Sequence, residues 1–168
     1  MQEWIPVPGS AKARLIEAAM HHFEQAGFEA ATVTELASKA GVTTGSLYHH
    51  FGSKLGLYTV VRDDLEKRIT DRMEGAAEAV GAPGRDAARA ALLVAFDATV
   101  RFGVCRLLGE PPLGDGPDPV RSALTTMLPD GVSLAAVLLV ASWRSALLEV
   151  ADGTPAATVR AALEFALS

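Results

Sequence analysis

The run Thr32-Val33-Thr34-Glu35-Leu36-Ala37-Ser38-Lys39-Ala40-Gly41-Val42-Thr43-Thr44-Gly45-Ser46-Leu47-Tyr48-His49-His50-Phe51 decides how this chain is read. Thr32 and Glu35 stand at the T-x-x-E spacing of a capping box, in which each side chain satisfies the other residue's backbone N–H. The short helix that follows carries Leu36, Ala37 and Ala40, and Gly41 ends it. Val42 and Thr43 turn the chain. Thr43 caps a second short helix, from about Thr44 to His50, with Leu47 and Phe51 one turn apart on its inner face. Two short helices joined by a tight glycine-containing turn, with a third helix before them, make a helix-turn-helix unit.

The flanks extend this helical pattern. Upstream, Leu15, Ile16, Ala19, Met20 and Phe23 follow the apolar stripe of an amphipathic helix. Ser10 caps it after Pro8 and Gly9, and Gly27 ends it, since glycine takes positive φ without strain. Downstream, Gly52 breaks the chain and Ser53 caps a long helix with Leu57, Val61, Leu65, Ile69 and Met73 on one face. Gly81-Ala82-Pro83-Gly84 reads as a linker. A helix from about Arg85 turns Leu92, Leu93, Phe96 and Val100 inward, and Gly109 to Pro119 form a loop. A short helix covers Val120 to Met127, and Pro129-Asp130-Gly131 is a turn. An apolar helix runs from Val132 to about Ala151. Gly153 stops it, Thr154 caps the last helix, Pro155 occupies its first position, and Val159, Leu163 and Leu167 align. No strand alternation persists and no repeat appears, so the chain is all-α.

Composition sets the outer bounds. Of 168 residues, 49% are hydrophobic, enough to bury a core, and the formal net charge of −5 excludes a polybasic binder of nucleic acid. The charge is uneven. Residues 1–62 hold five Lys/Arg against five acids and all four histidines, while residues 63–168 hold ten against fifteen, a shift that marks two modules. A single cysteine, Cys105, excludes a disulfide framework and a cysteine zinc site and fits a reducing cytosol. Met1–Ser10 lacks the basic and apolar regions of a signal peptide. The strongly apolar stretch Val132–Ala141 is short against the roughly 20 residues of a membrane span. A soluble, cytoplasmic chain with no membrane partner is expected, associated with the nucleoid when it holds DNA.

With Leu47 and Phe51 inward, the second short helix presents Thr44, Gly45, Tyr48 and His49 outward. A helix fits the major groove and its first residues reach base edges. Gly45 lets the backbone approach the bases, Thr44 reaches a base edge or a thymine methyl, and Tyr48 and His50 offer donors at phosphate distance. Lys54 opens the long helix, whose N-terminal amides also favour a phosphate. Thr32, Thr34 and Thr43 can touch the backbone; Thr32, Thr43 and Ser53 are equally well read as caps alone. His49-His50 is no metal pair, because adjacent helical positions do not share a face. His21-His22 meet the same objection and read as surface and boundary residues. No metal or cofactor site is expected.

Residues from about Ala11 to Leu57 resemble the DNA-binding domain of the tetracycline-repressor (TetR/AcrR) family. The matching residues are Phe23-x-x-x-Gly27-Phe28, Thr32, Leu36-Ala37, Ala40-Gly41-Val42-Thr43, Gly45-x-Leu47-Tyr48-x-His50-Phe51, Ser53-Lys54 and Leu57. The resemblance implies a homeodomain-like, three-helix helix-turn-helix domain over residues 9–69, with its motif at 32–51. It further implies a helical effector-binding and dimerisation bundle over residues 70–168. By the same resemblance, Thr34, Thr44, Gly45, Ser46, Tyr48, His49, His50 and Lys54 sit where the family touches DNA.

The expected function is that of a homodimeric repressor, bound to a palindromic operator and released by a small hydrophobic effector. The dimer is assigned to the helices near 132–151 and 154–167, the first apolar over most of its circumference. The resemblance also implies an effector pocket, with Phe96, Val100, Arg101, Cys105, Met127, Trp143 and Arg144 as its candidates; taken singly, the apolar ones read more readily as core and the arginines as surface. The competing class is an all-helical small-molecule or partner-binding protein that has lost DNA contact. An enzyme is not expected: no G-x-S-x-G, P-loop or H-E-x-x-H occurs, and Cys105 has no evident base.

Overall fold

The computed structural model of the protein describes residues 7–168, so the signal-peptide reading of Met1–Ser10 lies, for residues 1–6, outside it. All regular structure in the described residues is helical, and the chain divides into two compact units, residues 1–63 and 64–168.

In the first unit, Ser10 Oγ accepts the Ala13 N–H at 3.2 Å and starts α1 (Ala11–Ala30). Gly27, at φ +76° and ψ 170°, kinks α1; one further helical turn follows it through Ala30, beyond the expected end. Next come α2 (Val33–Lys39) and α3 (Thr44–Phe51), and α4 (Lys54–Val80) then continues into the second unit. The turn between α2 and α3 is closed by Gly41 at φ +63°, a conformation that favours glycine. α1 packs on both α2 and α3 through Leu15, Ala19, Phe23, Leu36 and Leu47, all buried. Tyr58 of α4 stacks edge-on against Phe23 and Phe28, at centroid distances of 5.1 and 4.9 Å. The α4 stripe of Leu57, Val61, Leu65, Ile69 and Met73 is buried throughout, as its four-residue spacing requires.

The second unit adds α5 (Arg85–Phe102), α6 (Cys105–Gly109), α7 (Pro119–Met127), α8 (Ser133–Ala151) and α9 (Ala156–Ala166). α8 packs against α5, α6, α7 and α9. Three local expectations change. First, α6 occupies residues 105–108, to which the sequence pattern assigns no element, and takes in Gly109, so the loop begins at Glu110; Gly109 lies buried against the Leu148 side chain. Second, Thr154 does not cap α9: its hydroxyl donates to Glu149 Oε2 at 3.1 Å, and Pro155 precedes the helix without a side-chain cap. Third, the stretch Val132–Ala141 supplies the cap and first half of a 19-residue helix that is, by length and hydropathy, long and apolar enough to cross a membrane. That helix carries Arg144, whose guanidinium pairs with the α7 cap Asp118 at 2.9 Å in a mostly buried contact. The mostly buried charge pair and the packing against four helices seat one face of α8 in the second unit, while most of its apolar window stays unburied.

Candidate nucleic-acid interface

The first unit builds its site from the two caps outward. Thr32 N–H and its hydroxyl both donate to Glu35 Oε2, at 3.0 and 2.7 Å, while Glu35 N–H donates to Thr32 Oγ1 at 3.2 Å. The Thr32 hydroxyl, then the Thr32 backbone N–H, hold the Glu35 carboxyl below its ordinary pKa, with a smaller contribution from His22. His22 Nε2 lies 3.5 Å from Glu35 Oε2 and ties α1 to the first turn of α2. His22 is 8% exposed, so it is a buried residue and not the surface or boundary residue expected; His21 is exposed and bonds Gln25.

Thr43 Oγ1 accepts the Ser46 N–H at 3.2 Å and caps α3. Leu47 anchors the helix at 0% exposure, and Phe51 is half-buried. The rest of α3 faces outward: Thr44, Gly45, His49 and His50 are exposed, Tyr48 is 53% exposed, and Ser46 is half-buried. Thr34 is exposed in the first turn of α2, beside the occupied hydroxyl of Thr32. The structure thus brings Thr32, Thr34, Thr43, Thr44, Gly45, Ser46, Tyr48, His49 and His50 onto two neighbouring, capped helices. The His49 and His50 rings meet edge to face at 5.1 Å. α3 carries no lysine or arginine.

Lys54 departs from the expectation of a cation held out toward phosphate. Its Nζ donates to the carbonyls of Phe28 at 2.8 Å and Ala31 at 3.0 Å, and lies 4.2 Å from the centroid of the Phe28 ring. Sequence reasoning also missed Gly56. A Cβ there would collide with the Phe51 carbonyl oxygen, so the last residue of α3 rests on the bare backbone of α4's first turn. The available signal was a glycine just inside a long helix, where it costs about 1 kcal/mol against alanine and needs a reason.

The residues expected to line an effector pocket do not come together as one lining. Phe96, Cys105, Met127 and Trp143 are core, exposed by 1, 5, 6 and 0%. Arg144 is held by Asp118, Val100 is half-buried, and Arg101 is exposed, on a groove with Arg72, Val94, Asp97 and Phe102. Met127 reaches the edge of a groove of about 460 Å³ formed with Glu74, Glu78, Pro83 and Ala87. A more apolar groove of about 420 Å³ lies between Ala88, Leu128, Val132, Leu139 and Leu167, with Arg85 and Arg89 at its side. Both arginines are engaged, Arg85 by the Ser168 carbonyl and Arg89 by Glu164 at 2.7 Å.

Apolar side chains on α8 and α9 face solvent. Leu134 is 72% exposed, Leu138 66% and Phe165 82%, and Val137, Ala141, Ser142 and Ser145 continue the α8 stripe. On α9, Thr158, Ala161 and Ala162 join Phe165.

Residues 15–61 match the family described as bacterial regulatory proteins, tetR family. The chain is 31% identical over 92 residues to the HTH-type transcriptional regulator BetI of Paraburkholderia phytofirmans, covering 55% of this chain and 47% of that protein. It is 42% identical over 60 residues to the HTH-type transcriptional repressor KstR2 of Mycolicibacterium smegmatis, covering 35% and 29% of the two chains. The chain therefore spans less than half the length of these curated relatives. Across both units the fold resembles the TetR family transcriptional regulator PfmR from Thermus thermophilus, with a TM-score of 0.66, 22% identity, and 92% of this chain and 96% of that one covered.

Proposed function

We propose, from the premise that residues 15–61 belong to the tetR family of bacterial regulatory proteins, that this chain is a sequence-specific DNA-binding transcriptional regulator. In this reading it is a homodimeric repressor of a palindromic operator, and a small hydrophobic effector bound by residues 64–168 releases it. It acts in the cytoplasm, and no catalytic activity is assigned to it.

One observation carries the reading. α3 is capped at Thr43 and anchored by a fully buried Leu47, while Thr44, Gly45, Tyr48, His49 and His50 remain exposed. A helix with one anchored face and a polar, glycine-containing outer face suits the major groove. There Thr44 and His49 meet base edges and Tyr48 and His50 meet phosphates. Counterion release from so few cations is modest, so a single unit binds weakly; two units on one duplex raise the affinity by linkage. The exposed stripes of α8 and α9 support a two-fold helical bundle between copies, in which Leu134, Leu138 and Phe165 leave water.

Fluorescence anisotropy on duplexes from the DNA flanking the chain's own gene tests the reading. Saturable binding that survives excess random DNA is expected. Binding that random DNA displaces completely would leave the competing reading, a helical binder without an operator.

A further inference from the structure

We infer that Lys54 is a positioning residue: it fixes the N-terminus of α2 against the first turn of α4 and makes no phosphate contact of its own. The inference rests on the operator-binding reading above. It starts from the break in α1 at Gly27. Had the helix continued, Thr32 N–H would have bonded the Phe28 carbonyl and Glu35 N–H the Ala31 carbonyl. Both donors are diverted into the capping box, Thr32 N–H to Glu35 Oε2 and Glu35 N–H to Thr32 Oγ1. The two carbonyls are left to a side chain, and Lys54 Nζ supplies both bonds.

An ammonium has three N–H donors. Two go to these carbonyls, and the Phe28 ring lies against the same cation. Tyr58, one turn further along α4, meets the same Phe28 ring edge-on at 4.9 Å. The segment Phe28–Ala31, which ends at the α2 cap, is thus gripped from α4 at two points. Turning Lys54 out to a phosphate would strip both carbonyls of their donor and loosen the segment that leads into the α2 cap. In the complex, the half-buried Lys54 ammonium stays on these two carbonyls, and α2 and α3 present their outer residues at a fixed angle.

The test is the salt dependence of operator binding for the full chain and K54M, which keeps the apolar stem and loses the charge. A lost phosphate contact lowers the slope of log K against log salt by about 0.9 per contact, or about 1.8 per dimer. A lost positioning contact leaves the slope unchanged. It weakens operator binding about 10-fold or more and narrows the gap between the operator and single-base variants, because the reading face is displaced. A fall in slope with selectivity intact overturns the inference. Failure of the wild-type chain to select any duplex is a different outcome and overturns the operator reading. Two measurements on the free protein judge Lys54 in either case. Amide exchange at Thr32–Thr34 should accelerate in K54M; unchanged exchange contradicts the inference. The wild-type Lys54 ammonium signal should be protected before operator is added and unshifted after. A signal that becomes ordered only with DNA also overturns the inference, even if K54M does not fold.

Discussion

At the residue scale, the outer face of α3 divides its work by chemistry. In the proposed complex, Tyr48 donates its one hydroxyl to a phosphate, whereas Thr44, in the first turn of α3, meets a base edge. Tyr48→Ala is therefore expected to weaken binding about equally on all duplexes. Thr44→Ala is expected to relax base preference at one position of each half-site, lowering discrimination there by about 1–3 kcal/mol. Titrations against the operator and its single-base variants separate the two. Equal loss across every sequence for both variants contradicts the division. Glu35 gives a prediction in pH. Its carboxyl is held below its ordinary pKa by Thr32 and, more weakly, by His22, so the ionised form is favoured by folding. The stability this contributes is present above the usual glutamate range near about 4.3 and is lost as pH falls through the lower folded value. Urea midpoints measured across that window should fall more steeply for the wild type than for Glu35→Gln. Parallel curves would show that the capping-box carboxylate does not couple folding to pH.

At the scale of elements, the decisive features of this chain were unequally legible in its sequence. The capping box at Thr32 and Glu35, the cap at Thr43 and the anchor Leu47 follow from local spacing, and the structure places them as read. Lys54 could not be placed this way, because its partners are carbonyls 23 and 26 residues away whose own donors are diverted. Its position beside a helix N-terminus suggested phosphate instead. α6 was missed because five residues are too short to show a period. The effector lining was overread: apolar spacing alone cannot distinguish a buried core such as Phe96 and Trp143 from the wall of a cavity. Gly56 supplies the test at this scale. Gly56→Ala sets a methyl against the Phe51 backbone carbonyl, which cannot rotate away, so α3 or the start of α4 must shift. A cost of about 1–3 kcal/mol in stability is expected, together with a loss of operator affinity. Gly109→Ala crowds Leu148 at both its side chain and its backbone N–H, inside the second unit, so it should cost stability while leaving operator affinity unchanged. Melting curves and binding isotherms check both. Full affinity in Gly56→Ala would show that the seat of α3 on α4 does not set the reading geometry.

At the scale of the whole molecule, the charge distribution and the exposed apolar stripes point to the same arrangement. The N-terminal stretch is nearly neutral, and α3 has no permanent cation, so affinity must come from matched contacts made twice. In the proposed dimer the α8 and α9 stripes hold the two copies together, since burying Leu134, Leu138 and Phe165 contributes about 1.5–3 kcal/mol for each side chain. Leu138→Glu should convert the dimer to a monomer in sedimentation and cost operator affinity at least about 100-fold through lost linkage, while the first unit stays folded. A dimer that persists in Leu138→Glu and Phe165→Glu alike would move the interface elsewhere. The central claim, that two copies of α3 read one duplex, is tested most directly by selecting binders from random duplexes and titrating the best against the protein. The account predicts enrichment of a two-fold symmetric site with half-sites about one helical turn or more apart, saturating at two chains per duplex. Enrichment of no sequence, or saturation at one chain on an asymmetric site, would contradict it.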